Sequence, residues 1–452
     1  MRQLRNVLEL VPPPTSAGLE PKEQRPHEFR PHEFHPHEFR PLGAFENIFA
    51  AYCEEAVSTF TLVADLEGDI TKTAVERALR QVQARHPLLA VGIRRDANER
   101  RVFVRSARPI PLKELPTGAV PWELAAGLEL RRRFDVEEGP LMLASVRFEP
   151  KSVRMFFTFH PSIADGTSAA FVIQDFARAL NGERLGTYID AASLDRRLVS
   201  LPRAFPVCPE ATGPTGVPRA VDRETLRRWG RGMSAIPIVS SRALPRDVTR
   251  RLREVARFHD ATVHSALSVA LARTIGEVRE SEGNVSGRPV RLMSPINLRR
   301  MLGVKEECGL FVTAGLTALD PVGDSFWDEA RKARAALEPY MNSDAVHNMI
   351  GGMMAFREND DSPSGARAGF AAGFDFDAML TNLGALPIKA RHGRIRIKAI
   401  AGPIVLASVL DEHVVGAATL EDRLQLTYTS ITPLPNLLER VEKKVVGACA
   451  AW

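Results

Sequence analysis

Cysteine is scarce and scattered. The four cysteines, Cys53, Cys208, Cys308 and Cys449, stand far apart in 452 residues and form no metal-type pair. So sparse a set leaves no disulfide framework, and the thiols are expected to be buried in a reducing compartment. There is no run of about eighteen apolar residues, the length a membrane helix needs. No positive segment followed by an apolar core opens the chain, so a soluble, cytoplasmic protein with no membrane partner is expected. The absence of a Gly-x-x-x-x-Gly-Lys-Ser/Thr loop argues against a P-loop nucleotide enzyme. Aromatic residues are 7% of the chain and interleave with no basic run, so a net charge of +5 points to no nucleic acid. What is present is 44% hydrophobic and 25% charged, the balance of a globular protein with real cores. The length allows two or three domains of ordinary size.

The first forty residues differ from the rest. After Pro12-Pro13-Pro14, a unit Arg-Pro-His-Glu-Phe starts at Arg25 and again at Arg30, with His-Pro-His-Glu-Phe from His35 and Arg-Pro at Arg40. Proline in every fifth position breaks helices and starves a sheet of donors. Residues 1–40 are therefore expected to form an extended, disordered arm. His27, His32, His35 and His37 would meet a metal only if the arm folded back, and with no cysteine or rigid frame none is expected.

Residues 41–200 read as an N-terminal subdomain. Helices are expected over 44–55, 69–83 (capped by Asp69 or Thr71), 122–132 and 167–180, with strands over 58–66, 88–93, 101–104, 141–148 and 153–159. His86-Pro87 stops the second helix. Residues 201–237, broken by Pro202, Pro206, Pro209, Pro214 and Pro218, read as a linker. Residues 238–452 form a C-terminal subdomain. Its expected helices are 246–258, 263–280, 326–337 and 434–449, and its strands are 290–293, 378–380, 395–400, 413–419 and 424–429. The two halves are alike in length and mixture, which suggests a duplicated α/β (α+β) architecture.

The most informative stretch is Phe156-Phe157-Thr158-Phe159-His160-Pro161-Ser162-Ile163-Ala164-Asp165-Gly166. It resembles the His-His-x-x-x-Asp-Gly motif of the condensation-domain and chloramphenicol-acetyltransferase-like superfamily, with Pro161 in place of the second histidine. Further segments resemble that family in the same order. They are Pro41-Leu42 with Glu46, Arg85-His86-Pro87-Leu88-Leu89, Phe134-Asp135 with Gly139-Pro140-Leu141, Ser294-Pro295-Ile296-Asn297-Leu298-Arg299, and Leu380-Thr381-Asn382-Leu383-Gly384. The last is similar to the Ser-Asn-Leu-Gly turn of stand-alone polyketide-associated and alcohol acyltransferases, with threonine for serine. The resemblance implies two chloramphenicol-acetyltransferase-like subdomains forming a V with a central tunnel. It also implies acyl transfer from a coenzyme A or acyl carrier protein thioester to a small alcohol or amine, in natural-product or lipid metabolism. No permanently bound cofactor and a monomer are expected.

A thioester is already activated, so such a site must deprotonate the nucleophile and stabilise an oxyanion. The family uses the second imidazole as the base, a device worth about 10²–10⁴ in rate, and proline can take no proton. His160 and Asp165 are the candidate catalytic residues, Asp165 as the structural carboxylate that pairs with an arginine. Arg85 and Arg299 both qualify as that partner. Gly166, Thr381 and Asn382 are candidate substrate-binding residues, Gly166 by allowing close approach and the other two near the oxyanion. Pro161 has a structural place at the motif. Successive residues of an extended segment face opposite ways, so with Pro161 toward the tunnel His160 should face the core and order the loop. Asp375 and Asp377 are alternative bases or solvated loop acids. His259, His264, His347, His392 and His413 are weaker candidates. Two functions follow: an acyltransferase that works with a displaced base or mainly by proximity, or a catalytically inactive binding or recruitment module.

Overall fold

The computed structural model describes residues 38–450 apart from 119, 200–221, 230–234, 284–286 and 324. The arm's four histidines and most of the expected linker lie outside the described residues. All the described residues belong to one compact unit.

Two six-stranded mixed sheets organise it. In spatial order the first contains Arg391–His392, Ile395–Leu406, Thr59–Glu67, Ser152–Phe159, Met142–Glu149 and Leu112–Glu114. The second contains Val312–Leu319, Val290–Asn297, Ala378–Ala385, Val414–Leu420, Arg423–Ser430 and Ile238–Ala243. Helices Lys72–Arg85 and Gly166–Leu180 share one core with the first sheet, and Arg246–Phe258, Val263–Ser281, Phe326–Leu337 and Leu437–Ala450 share another with the second. This is the mixed α/β class expected from the sequence, here built on two sheets.

The expected boundaries need three corrections. The strand Ile395–Leu406 lies far into the C-terminal half yet pairs antiparallel with Thr59–Glu67 and so completes the first sheet. Its alternation marks it as a strand, but a strand's pattern does not name its partner. The end of the arm, Glu38–Pro41, is an edge strand on Arg101–Arg105. There Pro41 takes the terminal place that a proline tolerates, and Arg40 donates to the Ala191 carbonyl (2.6 Å) and to both Glu46 oxygens (2.7 Å each). Within the linker, Arg223–Arg228 is helical and Trp229 is buried.

A third apolar cluster fills the junction of the halves, built from helices Ala44–Glu55, Ser343–Asn359 and Pro363–Phe374. The last two helices carry Gly351, Gly352, Gly365, Gly369 and Gly373, which lower helix propensity and blur the periodic signal. Tertiary packing outweighs that cost, with Phe370 against Tyr52 (ring centroids 5.1 Å apart) and stacked on Trp229 (6.1 Å).

The second sheet splays at one place. Val290–Asn297 bonds to Ala378–Ala385 only through Leu292 and Met293, opposite Ala378 and Met379. Pro295 follows, with no N–H to extend that ladder. Beyond it the two strands part, and the gap opens toward the motif.

Candidate functional site

The motif strand Ser152–Phe159 is rich in β-formers and paired on both sides. His160 N–H still donates to the Leu141 carbonyl (3.0 Å), and Ile163 N–H then donates to the His160 carbonyl (3.2 Å). Pro161 occupies the second position of this turn, where its fixed φ suits the bend. The helix Gly166–Leu180 starts at once, because Asp165 Oδ1 accepts from Ser168 N–H (2.7 Å) as its N-cap. Phe176, Ile173 and Val172 of that helix are fully buried, and truncating a phenylalanine so placed costs about 3–5 kcal/mol.

Of the two candidate arginines, Arg299 reaches Asp165. Its Nη1 donates to Oδ1 (2.9 Å) and Oδ2 (2.7 Å), and its Nη2 donates to Ser168 Oγ (2.6 Å). Phe311 N–H donates to Oδ2 as well (2.9 Å), so the carboxylate is held from both halves. Arg85 lies elsewhere: its Nε donates to Asp175 (2.5 Å) beside His86 Nε2 (3.0 Å), on another face of the motif helix.

Between the halves is a cavity of about 180 Å³. Pro161, Ala164, Asp165 and Gly166 form its motif wall, and Met293, Pro295, Met379 and Thr381 line the splayed sheet. Aromatic rings of Phe45, Phe49, Tyr52, Trp229, Phe370 and Phe374 make most of the rest. Gly166 is required by packing: a Cβ there would lie 2.8 Å from Leu383 Cδ2 and 2.8 Å from Pro403 Cγ. The Thr381 hydroxyl bonds to no protein group among the described residues. Asn382 does not line the cavity. Its Oδ1 accepts from Gly384 N–H (2.8 Å) and fixes the turn, in which Gly384 has φ +66°.

His160 is 2% exposed and faces away from this cavity, edge-on to Phe134 with ring centroids 5.6 Å apart. Ser162 N–H donates to its Nδ1 (3.2 Å), so Nδ1 carries the lone pair and the neutral ring holds its proton on Nε2. Burial pushes the imidazole down to about 4, so it is neutral at pH 7. The reading of His160 as a displaced base is thereby corrected: its lone pair is engaged and its free nitrogen is a donor.

The other candidate bases are also spoken for. Asp375 pairs with Arg228 (2.8 Å) and Arg291, and Asp377 with Arg279 (3.0 Å) and Arg291 (3.0 Å). Burial alone would push the Asp377 carboxyl up, but hydrogen bonds and charge from Arg291, with Arg279, hold it at about 2. His264 bonds Ser294 Oγ (3.0 Å) and His413 bonds the Tyr428 hydroxyl (2.9 Å). Burial pushes both down to about 4. His347 sits between the Ser343 and Leu198 carbonyls, His259 stacks on Trp327, and His392 bonds the Lys389 carbonyl. Among the described residues the ionisable groups lining the cavity are thus Tyr52, whose hydroxyl donates to the Ala407 carbonyl (2.7 Å), and the clamped Asp165.

The aromatic lining was not foreseen from sequence. The clusters at 370, 374 and 376 were visible, but their direction depends on glycine-rich helices that the periodicity does not reveal. Among the described residues no group of histidine, cysteine, aspartate and glutamate could hold a metal ion, and no helix is long and apolar enough to cross a membrane.

Residues 53–192 match the family model of the condensation domain. The phosphinothricin tripeptide synthetase PhsC of Streptomyces viridochromogenes is 25% identical over 261 residues, which are 52% of this chain and 23% of that protein. The chain thus spans under a quarter of that relative's length. Polyketide synthase associated protein 5 from Mycobacterium tuberculosis has a similar structure, with a TM-score of 0.63 at 16% identity over 92% of this chain and 99% of that one. The first condensation domain of the CDA synthetase follows, with 0.62 at 15% identity over 91% and 96%. TRI3 trichothecene 15-O-acetyltransferase from Fusarium sporotrichioides gives 0.61 at 11% identity over 92% and 95%. At such identities the structural likeness is one of fold.

Proposed function

We propose that this chain, whose residues 53–192 match the condensation-domain model, binds the acyl group of a coenzyme A or carrier-protein thioester in its central cavity without general-base chemistry. One observation carries the reading: Pro161 lies on the cavity wall, and among the described residues no group on that wall is free to take a proton. The aromatic lining is suited to an acyl chain, which gains about 0.8 kcal/mol for each methylene it buries. The Arg299–Asp165 clamp keeps the motif helix against the second half. It would be dispensable in a protein that had lost its ligand as well as its base.

A second reading, transfer by positioning alone, is favoured by the unbonded Thr381 hydroxyl, a donor available to a developing oxyanion. Holding an unprotonated amine against a thioester can lower a barrier by several kcal/mol without any base. The test is to incubate the chain and its Pro161→His variant with acyl-coenzyme A thioesters of graded chain length and a panel of alcohols and amines. Thiol release and product mass are followed. Affinity that rises with chain length, with turnover only in Pro161→His, supports the binding reading. Product from the unaltered chain supports positioning, and no affinity for any thioester ends both.

A further inference from the structure

The motif turn has a second side. Behind Pro161, His160 lines a larger cavity of about 750 Å³, walled by the end of helix Ala44–Glu55, strand Val91–Arg95, Arg101 and the segment 132–137. That is the volume of a small-molecule site. Ser58 and Thr59 form a partition common to the two cavities.

The two cavities differ in charge. Arg94, Arg95, Arg101, Arg132 and Arg133 line the larger one, against Glu54, Glu55 and Glu137. Most of these cations are already engaged. Arg101 pairs with Glu54 (2.6 Å) and Asp361 (2.8 Å), Arg132 with Glu129 (2.9 Å), Arg95 with Glu54 (3.5 Å), and Arg94 with Glu138. Arg133 has no partner among the described residues. His160 is one of the lining residues, and its buried Nε2 has no hydrogen-bond partner among the described residues. A buried N–H left without an acceptor is costly, and native structures rarely tolerate one without a reason. Because Ser162 fixes the tautomer, this nitrogen offers a proton and asks for an electron-rich atom.

An unpaired donor on one lining residue and an unpaired guanidinium on another select the same chemistry. We infer that this cavity is a second ligand site, for a small molecule carrying a carboxylate or phosphate group, with His160 Nε2–H and the Arg133 guanidinium as the donors that hold its oxyanion. The inference is independent of the acyl reading, since the anion need bring no acyl chain and Pro161 takes no part.

The experiment is isothermal titration of the full chain with inorganic phosphate and, separately, with succinate, in a chloride-free buffer of low ionic strength. Arg133→Gln and His160→Phe are compared with Arg300→Gln, an exposed arginine outside the cavity, and folding is checked by circular dichroism. Saturable one-to-one binding of either probe is expected, weakened about tenfold or more in Arg133→Gln and in His160→Phe and unchanged in Arg300→Gln, as loss of a charge-assisted hydrogen bond predicts. Binding of phosphate alone assigns a phosphate ligand, and binding of succinate alone a carboxylate. The inference is overturned if neither probe saturates or if Arg133→Gln binds as the unaltered chain does. That second outcome decides the matter even if His160→Phe does not fold.

Discussion

Arg299 and Asp165, 134 positions apart in sequence, meet through two hydrogen bonds from one guanidinium nitrogen to both carboxylate oxygens. The pair spans the junction of the halves, 5% and 8% exposed. Its worth lies less in net stability than in what its loss leaves behind, since one partner alone is a buried, uncompensated charge. Arg299→Ala is expected to cost about 3–5 kcal/mol in urea unfolding. Combining Arg299→Gln with Asp165→Asn should recover part of that loss, and a purely additive double-mutant cycle would show that the pair does not couple.

Gly166 sits where the motif helix meets the Thr381 turn. Gly166→Ala puts a Cβ 2.8 Å from Leu383 Cδ2 and Pro403 Cγ, so a loss of about 1–3 kcal/mol is expected, read from thermal unfolding. Adding Leu383→Ala removes one of the two clashes and should return part of the lost melting temperature. An unchanged melting temperature in Gly166→Ala would mean the turn yields freely.

Ala314 lines the central cavity. Ala314→Phe is a small-to-large change beside existing free volume, so its cost should stay within about 1–3 kcal/mol. Long-chain thioester binding, followed by the fluorescence of Trp229 on the same wall, should be lost. Binding that survives the substitution would place the ligand elsewhere.

Stability should pass through a maximum near neutrality. Burial pushes His160, His264 and His413 down to about 4, whereas an unfolded imidazole titrates near ~6.5. Between those values the unfolded chain binds more protons, so the stability these groups contribute is complete above ~6.5 and is lost as pH falls toward ~4. Glu412 acts in the opposite sense. Burial pushes its carboxyl from 4.5 up to about 8, so the folded chain keeps the extra proton and stability is lost as pH rises through that window. Melting temperatures across pH 4 to 9 should therefore fall on both sides, with Glu412→Gln flattening the alkaline limb alone. A variant that leaves that limb unchanged would remove Glu412 as its cause.

Much of the fold was legible because its elements obey local rules. The helices at 246–258 and 326–337 carry clear amphipathic periods and appear with those limits. Thr71, one of two proposed caps, accepts from Ala74 N–H (3.2 Å). The opposite facing of His160 and Pro161 was expected from alternation, and the structure delivers it through the turn that follows Phe159. What sequence could not supply was non-local. Choosing Arg299 over Arg85 needed the distance across the junction, and removing Asn382 from the site needed its bond to Gly384. The direction of the His160 proton rested on Ser162 N–H, a backbone donor that no side-chain pattern announces.

The strand Ile395–Leu406 closes the first sheet from the far end of the chain. On the ribosome, Thr59–Glu67 emerges more than three hundred residues before its neighbour on that side. Domains usually fold as they are made, N-terminal first. Here the first sheet keeps an open edge until the second has nearly been translated, so the halves acquire their native state together. Unpaired strand edges are sites of association. Truncations that remove Ile395–Leu406 should therefore show first as aggregation of the N-terminal half, a fate decided by the order of synthesis.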